Sequence, residues 1–185
     1  MNKGIKIVLV LSIVSGGMAL ALAGVNALTA GKIAENTAKK ELEAKKSIFP
    51  DCEYFEPTSI VQENPQYLKS VEKVYTTNTK EDLKGLVYNC SGKNAYGEVA
   101  FMLGLDYNPD IEGPVDRFVF KKISVITNTE SYGSTLTDKY INPLNDYYFS
   151  YTDPDAIKCG ATYGAKLVRD MIMEAVSDAN KQEGF

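Results

Sequence analysis

Asp155-Ala-Ile-Lys-Cys-Gly-Ala-Thr162 leads into a segment in which Leu167, Val168, Met171, Ile172, Ala175, Val176 and Ala179 return at helical spacing on one face. This predicts an amphipathic helix from Ala161 onward, with the Gly-Ala-Thr at or just before its N-terminus. Two readings of Thr162 stand side by side. It is a Ser/Thr-type cap that only starts the helix, or it is a hydroxyl set where free backbone N–H groups and the helix dipole favour a phosphate. Such a hydroxyl can carry a phosphoester, and Gly160 has no side chain to block an approaching group.

Upstream, the chain reads as strands. Val71 to Tyr75, Gly85 to Cys90, Glu98 to Asp106 and Arg117 to Ile126 are rich in β-branched and aromatic residues. Tyr107-Asn-Pro-Asp110 and Ile111-Glu-Gly-Pro114 read as turn and loop between the last two. A short helix is expected from Leu136 to Tyr140, ended by Asn142-Pro143. An aromatic stretch, Tyr147-Tyr148-Phe149, precedes the last helix, and the tail after Ala179 is expected to fray. Strands followed by helices make the body, about Ser47 to Phe185, an α+β unit of the size usual for one domain. No internal repeat or low-complexity tract interrupts it.

Ahead of that body, Ile7 to Gly31 carries no charge, and Lys3 and Lys6 precede it. At ~1.5 Å of rise per residue this run reaches roughly 36 Å as a helix, enough for a bilayer core of ~30 Å. Gly16, Gly17 and Gly24 are tolerable there, because a membrane helix keeps its hydrogen bonds internal. The rival reading is a cleaved signal peptide with Ala21-Leu-Ala23 as its cleavage site. Against cleavage, Ala30 to Lys46 continues with helix formers and mixed Lys/Glu pairs until Ile48-Phe-Pro50. The expected organisation is a transmembrane anchor over 1–31, a juxtamembrane helix over 32–46 and the folded domain over 47–185. Lysines flank both sides of the span, so charge does not fix its orientation.

The 185-residue chain has a formal net charge of −4, which argues against nucleic acid and against an anionic membrane surface as partners. It has no His and no Trp, so imidazole catalysis and the commonest metal ligand are both missing. Cys52, Cys90 and Cys159 are far apart with no CxxC pair, which argues against zinc or iron–sulfur ligation. In an exported domain, one disulfide and one free thiol are possible, with no pairing readable. Cys159 is either a small buried residue or a redox group beside the Gly-Ala-Thr. Asn128-Thr-Glu-Ser-Tyr-Gly-Ser-Thr135 is a turn capped by Ser134 or Thr135, or a loop around a ligand in which Gly133 permits close approach. Asn94-Ala-Tyr-Gly97 poses the same choice, with Tyr96 stacking on a ring or covering core.

Taken together, four blocks resemble the membrane-anchored, FMN-binding family that serves the Rnf electron-transport complex. Val25-Asn-Ala-Leu-Thr-Ala-Gly-Lys-Ile-Ala-Glu-Asn36 is similar to the end of that family's membrane helix. Ile48-Phe-Pro-Asp-Cys-Glu-Tyr-Phe-Glu56 is similar to the segment entering its extracytosolic domain. Tyr96-Gly97 with Phe101-Met-Leu-Gly-Leu-Asp106 resembles its glycine-led strand. Thr129-Glu-Ser-Tyr-Gly133 and Gly160-Ala-Thr162 resemble its two flavin-loop motifs. Cys159 stands where the family has Ser or Thr, and Asp155 lies seven rather than six residues ahead of Thr162, with Lys158 as the extra residue. In the middle loop only Glu130 and Gly133 match the family pattern.

The resemblance implies a single N-terminal transmembrane helix followed by one FMN-binding domain, with a mainly antiparallel sheet and flanking helices. It implies FMN esterified through its phosphate to Thr162 by a flavin transferase, with Gly160 and Ala161 shaping the bend. Cys159, Tyr163, Glu130, Tyr132 and Gly133 would line the cofactor site, and Lys158, Lys166 or Arg169 would offset its charge. The chain would then relay electrons among membrane subunits of a ferredoxin:NAD oxidoreductase coupled to ion transport, rather than act as an enzyme alone. Its expected place is the cell membrane, single-pass, with the C-terminal domain on the extracytosolic side. The neighbouring reading is the flavin carrier of the sodium-translocating NADH:quinone oxidoreductase, or a stand-alone surface flavoprotein. An anchored surface protein without flavin is the distant one.

Overall fold

The computed structural model describes residues 3–109, 117–146 and 159–182. The chain divides into two compact units, Met1–Lys40 and Glu41–Phe185. The first belongs to helix α1, Lys3–Ile48, which is long and apolar enough to cross a membrane. Its apolar side chains from Ile5 to Leu28 are exposed.

The second unit is α+β. Five strands form one antiparallel sheet in sequence order: β1 (Tyr54–Thr58), β2 (Leu68–Tyr75), β3 (Leu83–Asn94), β4 (Gly97–Tyr107) and β5 (Phe118–Asn128). The four predicted strands are present and extend further than expected. The one missed is β1, which holds Pro57 and stays half-exposed. A strand with proline is confined to a sheet edge, where its missing N–H costs no ladder bond, and β1 is an edge strand.

Side-chain alternation sends β3 and β4 to both faces. Leu86, Tyr88, Cys90, Phe101, Leu103 and Leu105 enter the larger core with helix α4 (Thr162–Ala179), through Leu167, Val168, Met171, Ile172, Ala175 and Val176. Val87 and Met102 point the other way and pack, with Val74, against Ala44, Ile48, Phe49 and Cys52. A Cβ on Gly85 would fall 2.0 Å from Leu105 O and one on Gly104 would fall 2.2 Å from Ile48 Cγ2, so the helix end sits on a floor without side chains. The half-buried pair Lys45–Glu72, at 2.6 Å, and the Asn89–Glu41 hydrogen bond, at 2.9 Å, fix the same contact.

After β5 the chain forms α2 (Gly133–Leu136), a wide π-type turn (Thr137–Ile141) and α3 (Asn142–Asp146). The sequence predicts a stop at Asn142-Pro143, but the helical path runs through it. A helical proline presses its ring on the carbonyl four residues back, here Lys139, and Lys139 lies inside the widened turn that gives it room. Asp110 of the expected turn, the expected loop Ile111–Pro114, the Tyr147–Phe149 stretch, Asp155 and Lys158 lie outside the described residues.

The C-terminal part of helix α4 is tied to the segment before β2. Asp178, fully buried, accepts from Val61 N–H (2.7 Å), Gln62 N–H (2.6 Å), Tyr88 Oη–H (2.9 Å) and Gln182 Nε2–H (3.1 Å). Burial, then the neighbouring Asp178 charge, pushes the Tyr88 phenol far above its ordinary pKa, so it stays a donor. Glu174 accepts from the N–H groups of Gln66 (2.6 Å) and Tyr67 (2.7 Å). Gln182 also donates to Ser59 O at 2.9 Å, so the chain is held past Ala179 rather than frayed, at least to that residue.

Asp178→Ala strips acceptors from buried donors and is expected to cost roughly 2–4 kcal/mol, read by chemical denaturation, with faster amide exchange at Val61 and Gln62. Gly85→Ala drives a methyl into backbone and is expected to cost about 3 kcal/mol in the same measurement.

Candidate functional site

Three separate stretches meet at the N-terminus of α4. The first is the β3–β4 hairpin, where Tyr96 N–H donates to Asn94 Oδ1 at 2.7 Å, an Asx-type turn that fixes the two-residue connection. The second is the loop after β5, which crosses directly over Gly97. That glycine has φ +153°, and a Cβ there would lie 2.5 Å from Thr129 O and 2.6 Å from Glu130 N and Cα. Thr129 N–H donates to Glu98 O at 2.8 Å, and Ser131 N–H to Tyr96 O at 3.1 Å. These bonds tie loop to hairpin.

Asn128 shapes the loop from its start. Its Oδ1 accepts from Glu130 N–H at 3.2 Å, while its Nδ2 donates to Gly133 O at 2.9 Å and to Thr137 Oγ1 at 3.2 Å. Gly133 is in contact with this amide, and a Cβ on it would sit 3.0 Å from Asn128 Oδ1. Ser134 and Thr135 fall inside α2, which begins at Gly133 without any side-chain cap, so the expected capping role is not theirs.

The loop delivers Glu130, only 8% exposed, to the third stretch. One carboxylate oxygen accepts from Asn94 Nδ2. The other lies against the first turn of α4, where a Cβ on Gly164 would stand 2.5 Å from it. A carboxylate at a helix N-terminus is favoured by the dipole.

Thr162 is not the cap of α4. The cap position is Ala161, which offers no side-chain bond, and the first helical hydrogen bond runs from Ala165 N–H to Ala161 O at 2.9 Å. Among the described residues, no side chain therefore takes the N–H groups of Thr162, Tyr163 and Gly164. The Thr162 side chain itself is exposed.

An open cleft of about 310 Å³ results, lined by Tyr96, Glu130, Tyr132, Thr162, Tyr163 and the backbone of Gly160, Ala161 and Gly164. It lies at the low end of the roughly 300–1,000 Å³ of ordinary ligand sites. Tyr132 and Tyr163 are 61% and 64% exposed at its mouth. Of the sequence-predicted residues, Thr162, Gly160, Ala161, Tyr163, Glu130 and Tyr132 line it. Gly133 sits behind the loop against Asn128, and Cys159 packs partly against the core. Lys166 is exposed one turn further on, and Arg169 pairs with Asp170 at 3.4 Å. Tyr96, open to either role in the sequence, is 45% exposed and faces the cleft rather than covering core. No cluster of residues that could hold a metal occurs among the described residues. Neither a family model nor a curated protein matches the chain.

All three cysteines are free thiols, contrary to the possible disulfide. Cys52 and Cys90 belong to the cores on opposite faces of the sheet, which no bridge can join. Burial raises the pKa of both. Iodoacetamide on the native protein at mildly alkaline pH is expected to alkylate Cys159 and spare Cys52 and Cys90 until denaturation, as read by peptide mass.

Proposed function

We propose that this chain is a membrane-anchored flavin carrier holding FMN through a phosphoester on Thr162. On that reading it relays electrons within an Rnf-type ferredoxin:NAD oxidoreductase coupled to ion transport. The observation that carries the reading is the convergence, in one cleft, of an exposed threonine hydroxyl at an uncapped helix N-terminus, aromatic rings and one buried carboxylate.

The residues present fit the group. Thr162 Oγ1 is the attachment atom, and the first-turn N–H groups of α4 donate to phosphate oxygens. Gly160 leaves the approach open, with only Thr135 Cγ2 within 4 Å of where its side chain would be. Glu130 is the carboxylate acceptor in a cleft whose other polar side chains are hydroxyls, which suits ribityl hydroxyls or a ring N–H. Tyr96 and Tyr132 offer faces to a flat ring, and Tyr163 stands beside them at the mouth of the cleft. Lys166 lies within reach of one turn to offset negative charge. When bound, FMN supplies the electron-transfer chemistry, and the protein's part is to hold it and set its potential.

Helix α1 is the anchor in this reading, with the folded domain on the extracytosolic side. Its uncharged stretch offers no intramembrane ionisable residue, so cations would cross elsewhere in the complex. The partners implied are the other membrane subunits, membrane lipid and a flavin transferase that forms the ester.

Co-expression with a flavin transferase, followed by intact mass, tests this. The expected gain is FMN less one water, with in-gel fluorescence, both lost in Thr162→Ala. No gain, and no flavin released on denaturation, overturns the flavin reading. Flavin released on denaturation would keep the cleft and remove the ester, pointing to Cys159 and Lys158 as what blocks the transferase.

A further inference from the structure

The rings of Tyr96 and Tyr163 stack on each other, with centroids 5.2 Å apart and planes inclined by 29°. We propose that Tyr163 is an internal stand-in for the ligand, occupying on the face of Tyr96 the place that a flat aromatic ring takes when it binds. The inference rests on the flavin reading of the cleft and adds which aromatic residue is the platform and which one yields.

Two observations set the two tyrosines apart. The backbone of Tyr96 is held on both sides, by Asn94 Oδ1 at its N–H and by Ser131 at its carbonyl, and it tops a hairpin paired residue for residue from Gly85 to Asn94. Its ring therefore has a fixed base. Tyr163 lies in the first turn of α4 and is the more exposed, 64% against 45%. Among the described residues no hydrogen bond holds either phenol oxygen. The mobile member of the pair is thus Tyr163, free to swing about its own side-chain bonds.

Geometry requires that one ring move. A flat ligand between two rings needs their centroids about 7 Å apart, since each stacked contact takes roughly 3.5 Å. The observed separation has no room for it. Tyr163 is also the residue next to Thr162, so a group tethered there reaches the face of Tyr96 from the side on which Tyr163 now rests. The Tyr–Tyr stack keeps an apolar slot from standing open to water and is lost on binding, so it acts as a competitor built into the chain.

The two tyrosines should respond with opposite sign. Full-length protein in detergent, made without a flavin transferase, is titrated with riboflavin, which has the ring and no phosphate, and in parallel with FMN. Quenching of flavin fluorescence reports binding. Tyr163→Ala is expected to bind riboflavin about three- to tenfold more tightly, and Tyr96→Ala weaker by a similar factor. Tyr96→Phe and Tyr163→Phe keep the stack and should stay near wild type. Both side chains lie outside the two cores, so thermal unfolding should hardly change in any of the four.

Equal weakening by Tyr163→Ala and Tyr96→Ala would make Tyr163 part of the platform and overturn the stand-in. So would a riboflavin affinity that neither variant moves. If Thr162 gains the FMN mass while Tyr163→Ala does not tighten binding, the inference falls and the flavin reading survives. If neither flavin binds any variant and no mass is gained, both fall.

Discussion

Glu130 can reach the head of α4 only because two glycines lack a side chain. Gly97 lets the loop backbone cross the hairpin at contact distance, and Gly164 lets the carboxylate rest against the first helical turn. A methyl group at either place would push hairpin, loop and helix apart. The cleft exists because these three segments close on one buried acid, whose other oxygen is tied to Asn94 in the hairpin. Its position between a helix N-terminus and an amide donor offsets the cost of burying a charge.

Helix α4 is held by acids at both ends of its buried face. Glu130 meets its first turn, while Glu174 and Asp178 take four backbone N–H groups of the 61–67 segment between them. Apolar packing against the sheet can slide by a turn at modest cost, but these directional contacts cannot. They give α4 one register, and with it one position for Thr162.

Much of this was legible from residue pattern. The spacing of Leu167 to Ala179 gave the helix, its apolar face and its start within one residue. The four longer strands were visible because β-branched and aromatic residues fill them. What escaped depended on contacts between distant residues. The strand at Tyr54–Thr58 contains a proline and is only half-buried, so it lacks its own signal and exists by pairing with β2. The helical path past Pro143 depends on a local widening that no periodicity announces. The cleft itself was half-legible: Thr162 came from the helix pattern as well as from resemblance, and Glu130, Tyr132 and Tyr163 from resemblance, whereas Tyr96, open to two roles in the sequence, is assigned to it by a hairpin register and a stacked ring. The absence of a cap on α4 was likewise invisible, because a threonine near a helix start reads as a cap until its position is known.

One hairpin serves two distant sites. Strands β3 and β4 carry the glycine floor under Ile48 and Phe49 near one end and present Tyr96 at the other. From Gly85 to Asn94 a strand advances about 30 Å at roughly 3.3 Å per residue. Changes at that separation combine additively as a rule. The seat of the first helix can therefore be re-tailored, residue by residue, without retuning the cleft, so the two ends of one hairpin are free to change independently of each other.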